Sequence, residues 1–296
     1  MMNRPRIAHS SHRAQRGLSL VELMVSLTIG IFLMGAVGII YVNTATTSRS
    51  STLDSQMNED AALALELLQQ QIRLAGFSNV DPTGNRLFSG QAVRGCEGDS
   101  SATASGSAFV LNDAAFSALA CNAGGTRPDS LAVRYEASLL NSQPVTVAGV
   151  SSPGNCAHEA LAAWNALAEG AASATPMALA DNRYYVANDV DGTPSLFCQG
   201  RTGAGFGAAT ALIPNIEDMQ VQYAVTALPS AGNPIPHQVN GYVDADHEVL
   251  TRVSIAPQPN AWSRVAALRV CLLARSARAV PTGDNDLGTA NADGTT

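Results

Sequence analysis

The first apolar run of the chain occupies residues 18–42 and follows a short polar segment. After Glu22, no Asp, Glu, Lys, Arg or His appears before Arg49. Residues 23–42 alone match the roughly 20 apolar residues that an α-helix needs to cross about 30 Å of hydrocarbon. This run therefore predicts a membrane-spanning helix.

A second pattern begins at residue 53, where apolar residues recur at every third or fourth position. These are Leu53, Met57, Ala61, Ala64, Leu68, Ile72 and Ala75. That spacing predicts an amphipathic helix with one apolar face, and Gly76 supplies a stop signal. We expect one helical rod over residues 19–75, about 85 Å long at 1.5 Å per residue. Its first half requires lipid or other helices around it, whereas its second half requires a globular partner along one face.

Beyond Gly76 the chain changes to short β-like runs separated by glycine, proline, serine and asparagine. Residues 216–225 alternate between apolar and polar positions, which favours half-buried antiparallel strands. We predict loops over most of residues 77–127, apart from a short run at 108–112, and a surface helix at 158–172. The predicted strands are 130–137, 182–189, 195–199, 216–225, 248–256 and 265–276.

Together these patterns predict an α+β fold, in which a long N-terminal helix packs on an antiparallel β-sheet domain. The expected segments are a leader, the membrane half of the helix, its amphipathic half, a β-rich domain and a disordered tail. They occupy residues 1–17, 18–42, 43–76, 77–276 and 277–296, respectively.

The charge distribution separates the leader from the rest of the chain. The chain has 17 basic residues, all of them arginine, against 24 acidic ones, for a net charge of −7. Such a balance argues against a nucleic-acid-binding protein. Four of the arginines and no acid lie before the apolar run. Arginines on this side indicate a cytoplasmic N-terminus and a periplasmic C-terminal domain.

The five cysteines, Cys96, Cys121, Cys156, Cys198 and Cys271, all follow the apolar helix. In the periplasm disulfides can form. Proximity in sequence favours pairs of Cys96 with Cys121 and of Cys156 with Cys198, which leaves Cys271 in a core strand. Other pairings and five reduced thiols remain alternatives. The spacing does not fit a zinc site.

Glu22 is the unusual residue of the apolar run, because a carboxylate within a bilayer is costly and is by default a sign of function. The alternative is a carboxylate that reaches the headgroups from a helix end. The stretch "RGLSLVELMVSLTIG" around it resembles the class III signal of type IV prepilins and type II secretion pseudopilins. That resemblance implies cleavage between Gly17 and Leu18 by a membrane prepilin peptidase and N-methylation of Leu18. It also implies that Glu22 pairs with the N-terminal amine of a neighbouring subunit and so sets its register.

Further segments are similar to the PilW group of minor pilins, among them "RYYVAND", "IPNIEDMQVQYAV" and "WSRVAALRVCLLARS". Membership would imply a pilin-like fold and would make the chain a minor pilin of the inner membrane that later reaches the pilus tip. The implied function is initiation of type IV pilus assembly in support of twitching motility and adhesion. The implied partners are other minor pilins, the major pilin and a large tip adhesin.

Two other functions remain as alternatives: a minor pseudopilin of type II secretion, and a membrane-anchored periplasmic binding or hydrolytic domain. No catalytic motif of hydrolases, metalloproteases or nucleotide-binding enzymes occurs in the sequence, so we expect neither an enzyme nor a cofactor. Oxygen ligands alternate at Asp189 and Asp191, and at Asp244, Asp246 and Glu248. Neither group completes a calcium loop, and we interpret both as solvated turn acids rather than a metal site.

Overall fold

The computed structural model describes residues 17, 19–80, 82–84, 86, 88, 91–98, 108–109, 116, 119–122, 128–162, 177–202, 205–226, 239–251 and 261–278. The chain divides into two compact units, of which the larger is Leu53–Val280. The leader before Gly17, Leu18, residues 163–172 of the predicted surface helix and residues 279–296 of the predicted tail lie outside the described residues.

The long helix α1 spans Leu20–Leu74, within one residue of the prediction at each end. It stops where Gly76 adopts a φ of +74°, in the left-handed region that glycine enters without strain. The amide of Phe77 donates to the carbonyl of Leu74 at 2.8 Å and closes the last turn. The predicted apolar stripe is confirmed, because Ala64 and Leu68 are buried and its other members are half-buried.

Among the residues that the structure describes, ten strands and one further short helix follow α1. They are β1 (Val93–Cys96), β2 (Ser130–Ala137), β3 (Val145–Val147), β4 (Val150–Ser152), β5 (Ala178–Asn188), β6 (Pro194–Gly200), β7 (Thr210–Pro214), β8 (Ile216–Thr226), β9 (Val239–Val243), α2 (Glu248–Thr251) and β10 (Val265–Ala274). A 3₁₀ turn at Ala261–Arg264 leads directly into β10.

The strands form one sheet of five strands, one of three and a separate hairpin. The five-stranded sheet has the order β1-β2-β5-β6-β7, the three-stranded sheet has the order β10-β8-β9, and β3 pairs with β4. Every one of these pairings is antiparallel. The predicted α+β class with an antiparallel β-sheet domain is therefore confirmed.

One hydrophobic cluster joins α1 to both sheets. It contains Leu68 of α1, Tyr184 of β5 and Val221 of β8, all at most 1% exposed. Polar contacts reinforce this cluster: Asn215, which precedes β8, donates from Nδ2 to Oδ2 of Asp60 on α1 at 2.8 Å. The helix therefore contributes part of the core of the β-rich domain, as its one-sided pattern predicted.

The opposite face of the five-stranded sheet buries charge. Arg134 of β2 and Arg183 of β5 are both at most 1% exposed, and each contacts Asp181 of β5. The guanidinium carbon of Arg183 lies 3.7 Å from the ring centroid of Phe206, and that of Arg134 lies 4.7 Å from the ring centroid of Phe116. Aromatic side chains thus cover these arginines and keep them from water.

The prediction of a strand at 248–256 is wrong in its described part. Glu248–Thr251 forms the helix α2, because a turn between Asp244 and His247 starts it. The amide of Leu250 donates to the carbonyl of His247 at 2.8 Å. Leu250 is buried in this helix. The apolar residues that resembled a strand therefore lie in a helix instead.

The predicted surface helix at 158–172 is also wrong in its described part, since Ala160 forms an isolated bridge with Gly154. Short strands were missed as well: β1 lies within a predicted loop, and β3, β4, β7 and β9 were not predicted. The β3–β4 hairpin turns at Ala148 and Gly149, both with positive φ, as its two-residue turn requires.

Candidate assembly site

The predicted site residues lie at the start of α1. Glu22 is in the first helical turn and is exposed. The amide of Leu23 donates to the carbonyl of Ser19 at 3.1 Å, so the helix is already formed around Glu22. A carboxylate at this end of a helix is favoured by the partial positive charge of the unpaired amides.

The first half of α1 exposes its apolar side chains on every face. Phe32 is 81% exposed, Met34 79% and Leu20 76%. The most apolar 18-residue stretch of the helix has a mean hydropathy of 2.4 and no buried residue. In length and composition this is the single helix, among the described residues, that could cross a membrane. An exposed apolar surface of this size requires lipid or the helices of other subunits.

The hydroxyl groups within the apolar half do not conflict with that environment. Ser26 donates to the carbonyl of Leu23 at 3.0 Å, and Thr28 donates to that of Val25 at 2.9 Å. Hydroxyls bonded to their own helix leave no unsatisfied donor in hydrocarbon. Glu22 is therefore the polar side chain in the first turn that still requires a partner from outside its own helix.

Three glycines, Gly30, Gly35 and Gly38, lie further along the same half of α1. A β-carbon built on any of them meets no atom within 4 Å. Nothing within the described part of the chain therefore requires glycine at these positions. Small residues in membrane helices permit close approach of another helix. The three glycines are suited to such close packing.

The structure places the processing residues only in part. Gly17 lies exposed before the helix, and Leu18 is outside the described residues. Cleavage between Gly17 and Leu18, methylation of Leu18 and the pairing of Glu22 with an amine therefore stay predictions.

Two disulfides join the cysteine pairs that are neighbours in sequence. Cys96 at the end of β1 is bonded to Cys121, with 5.4 Å between their Cα atoms, and Cys156 is bonded to Cys198 of β6, with 6.2 Å. Cys271 corrects the prediction of a core position: it lies on β10 but is exposed and free. Only one face of β10 is half-buried, and Cys271 is on the exposed face.

Asp189 and Asp191, the first pair of acids considered as calcium ligands, have local roles in a turn. Asp189 accepts from the amide of Val190 at 2.7 Å, and Asp191 accepts from that of Thr193 at 2.9 Å, at the turn between β5 and β6. The bond from Thr193 lowers the pKa of Asp191. Across the described residues, no three His, Cys, Asp or Glu side chains are arranged to hold a metal ion.

The sequence did not predict a pair of buried or half-buried acids, Glu97 and Asp129. Glu97, directly after β1, and Asp129, directly before β2, accept hydrogen bonds from main-chain amides of the three-stranded sheet and the segment after β9. Burial, the larger cause, and repulsion from nearby acids raise the pKa of Glu97 to about 7 and that of Asp129 to about 6. Their partners are distant main-chain groups, so no sequence motif could reveal them.

Comparison with known families gives two matches, one near the N-terminus and one over the C-terminal part of the chain. Residues 183–296 match the family of type IV pilus-assembly protein W, PilW. Residues 12–38 match the prokaryotic N-terminal methylation motif, and this match includes Gly17, Leu18 and Glu22. No curated protein and no solved structure matches the chain significantly.

Proposed function

Since both matches identify the chain as a prepilin-type pilin of the PilW family, we propose that it initiates type IV pilus assembly as part of the priming complex at the pilus tip. In this role it supports twitching motility and adhesion through the completed pilus. The exposed apolar half of α1, with a carboxylate in its first turn, is the observation that supports this proposal most.

The general class and location of the protein follow from the matches and from the helix. The chain is a minor pilin related to type IV pili, and its family consists of structural pilins rather than a known class of enzymes. The prepilin motif and the apolar helix anchor it in the inner membrane before it enters the pilus. The motif also implies processing by a prepilin peptidase and assembly with other pilins.

Assembly through α1 has a simple physical basis. In the inner membrane, lipid covers the apolar side chains of residues 20–42, and in a pilus the same surface is covered by helices of neighbouring subunits. Cleavage after Gly17 creates a new positively charged amine. A carboxylate in hydrocarbon costs several kcal/mol unless it is paired, so Glu22 favours the one axial position at which a neighbour's amine reaches it.

The β-rich domain is suited to display outside the membrane. Two disulfides cross-link it, and such bonds persist in the periplasm and outside the cell. We propose that this domain contacts other minor pilins and the major pilin, and that it supports a large adhesin at the tip.

Processing is tested by intact-mass and N-terminal peptide analysis of the full chain from cells with and without their prepilin peptidase. We expect a chain that begins at methylated Leu18 in the first cells and at Met1 in the second. Gly17→Val, which places a branched side chain at the cleavage position, should stay uncleaved even when the peptidase is present. An uncleaved Met1 form in wild-type cells would refute the assignment as a pilin.

The priming role is tested separately, by counting surface pili in a strain that lacks this chain but produces the major pilin normally. We expect few or no pili and loss of twitching, both restored by the wild-type gene. Normal piliation together with loss of type II secretion would instead identify a pseudopilin. The match to pilus-assembly protein W favours the pilus.

A further inference from the structure

The two halves of α1 are joined by ten residues, 43–52, with the sequence "NTATTSRSST". Seven of the ten are serine or threonine, which favour a helix less than alanine does because their hydroxyls compete for main-chain hydrogen bonds. The structure nevertheless places all ten inside α1, which spans Leu20–Leu74. These residues, the hydroxyl-rich segment, are therefore helical against the preference of their own side chains.

Tertiary packing does not offset this weakness. Within the hydroxyl-rich segment, Ala45 and Ser50 are half-buried and the other eight residues are exposed. The half of α1 that follows is different, because Ala64 and Leu68 are buried in the core of the β-rich domain. Most of the stability of helices in proteins comes from such packing. The hydroxyl-rich segment is therefore the least supported part of α1 outside the apolar half.

The hydroxyl groups of this segment bond to the main chain of α1 itself. Five of them donate to carbonyls three or four positions earlier, at distances between 2.8 and 3.3 Å. The donors are Thr44, Thr46, Thr47, Ser50 and Thr52. Such bonds compete with the main-chain ladder of the helix, so they destabilise it slightly and often bend it.

The position of the segment relative to the apolar half makes opening of the helix less costly. Tyr41, which is 73% exposed, directly precedes Val42 at the end of the apolar half, and such aromatic residues favour the membrane–water interface. Arg49 is exposed and is costly to place in hydrocarbon. Both residues favour a position of the hydroxyl-rich segment in the headgroup region and the water beyond it. There, water can bond to main-chain groups that an opened helix releases.

The three glycines of the apolar half are the alternative place for opening. They are Gly30, Gly35 and Gly38. As long as the apolar half lies in lipid, main-chain groups released there find no water and stay unpaired, at a high cost in free energy. Opening of α1 in the membrane is therefore favoured at residues 43–52 rather than at the glycines.

We propose that the hydroxyl-rich segment is a hinge, at which α1 opens locally while both flanking halves stay helical. The boundary between the two compact units of the chain falls at the end of this segment, between Thr52 and Leu53. The hinge lets the β-rich domain change its direction while the apolar half stays in lipid. Its use in pilus assembly, where the domain must meet its neighbours, rests on the proposed function. The hinge itself does not.

Hydrogen–deuterium exchange of the full chain in lipid nanodiscs tests local opening of the helix. The chain is purified from cells without a prepilin peptidase, so that the result depends on neither cleavage nor pilus assembly. After scaling to intrinsic rates, amides of the hydroxyl-rich segment should exchange at least about tenfold faster than those of residues 60–72, as weakly packed elements do. Equal protection of the two stretches would overturn the proposal.

Bending is tested by pulsed electron paramagnetic resonance on the same preparation. Spin labels are attached through Ile39→Cys and Gln69→Cys, two exposed positions of α1, in a chain that carries Cys271→Ser to remove the free thiol. Thirty residues of unbroken α-helix span about 45 Å. We expect a broad distribution of distances that extends well below this length. A single narrow distance at the length of an unbroken helix would contradict the hinge.

A triple variant, Thr46→Ala with Thr47→Ala and Ser50→Ala, tests the role of the hydroxyl-bearing residues. Each substitution favours the helix by about twofold, so exchange within the segment should slow by about eightfold. The distribution of distances between the two labels should narrow toward the value for an unbroken helix. Unchanged exchange and an unchanged distribution would show that these residues do not cause the opening, and would overturn the proposal.

The matched control replaces three hydroxyl-bearing residues in the flanking halves of α1: Ser26→Ala, Thr28→Ala and Ser55→Ala. Ser26 and Thr28 donate to main-chain carbonyls in the same way as the hydroxyls of the hinge. This variant should leave both the exchange of the hydroxyl-rich segment and the distances as in the wild type. If it slowed that exchange as much as the first variant does, the effect would belong to the whole helix, and a hinge at residues 43–52 would be refuted.

Discussion

Gln71 of α1 accepts a hydrogen bond at its Oε1 atom from Nδ2 of Asn182 on β5 at 3.0 Å. The same oxygen accepts from the hydroxyl of Tyr135 on β2 at 3.1 Å. Asn182 and Tyr135 are at most 1% exposed, and Asn182 also accepts from the amide of Cys156 at 3.3 Å. One glutamine thus connects the long helix with two central strands and with the loop that carries a disulfide.

Replacement of Gln71 by alanine should destabilise the β-rich domain by about 1–3 kcal/mol, because two buried donors then lose their shared acceptor. Thermal unfolding of the mature chain in detergent micelles measures the effect. Gln70→Ala is the matched control, since Gln70 precedes Gln71 on the same helix but is exposed. Equal unfolding temperatures for the two variants would contradict this role of Gln71.

Gly95 of β1 lies directly against the phenol group of Tyr223, where a β-carbon would overlap the hydroxyl oxygen. We expect Gly95→Ala to lower the free energy of unfolding by about 1–3 kcal/mol, as overpacked cores do. Addition of Tyr223→Phe should restore part of this loss, because it removes the overlapping oxygen. Gly241→Ala on β9 is the control, since a β-carbon there meets no atom within 4 Å. Urea unfolding monitored by fluorescence measures the free energy of unfolding of the wild type and of these three variants.

Loss of either disulfide should cost about 2–5 kcal/mol of stability, as in other small secreted domains. The Cys156–Cys198 bond closes a separation of 42 residues and the Cys96–Cys121 bond one of 25. On the loop-closure model the paired substitution Cys156→Ala with Cys198→Ala should cost more than the other pair, by about 0.5 kcal/mol. Cys271→Ser should have no effect, since Cys271 is exposed and free. Peptide mapping without reductant checks the pairing, and a different connectivity would disprove it.

Glu22→Ala should still be cleaved by the prepilin peptidase but should enter minor pilin complexes poorly. Even about 1.4 kcal/mol lost from the contact lowers an association constant tenfold, so we expect at least that decrease in co-purification with other pilins. Glu59→Ala, which removes an exposed glutamate elsewhere on α1, provides the control. Normal assembly by Glu22→Ala would leave Glu22 without a role in register.

The helix and its two halves could be predicted because their cause is local. A continuous apolar run and then a stripe at every third or fourth residue already specify which surfaces avoid water. The long strands β2, β5, β6, β8 and β10 were also predicted, because their patterns of apolar and polar residues are local in the sequence as well. The short strands were missed because β1 contains Gly95 and the others have only three to five residues.

The error at α2 shows where local patterns fail. Val249 and Leu250 resemble part of a strand, but the turn from Asp244 to His247 starts a helix before they are reached. The position of Cys271 was wrong for a related reason. A strand pattern does not say which face of the strand the sheet covers when the strand lies at an edge.

The sequence by itself determined the membrane half of α1, its one-sided continuation, the signal around Gly17 and Glu22, and the antiparallel β-rich domain. These features depend on neighbours within a few positions of the chain. Only the tertiary structure decided that Gln71 connects α1 to β2 and β5, and that Glu97 and Asp129 join the two sheets. Such contacts bring together residues from distant parts of the chain, and their donors include main-chain amides, which every residue except proline has. The physical reason is that burial and charge repulsion at the junction arise only once both sheets are in place.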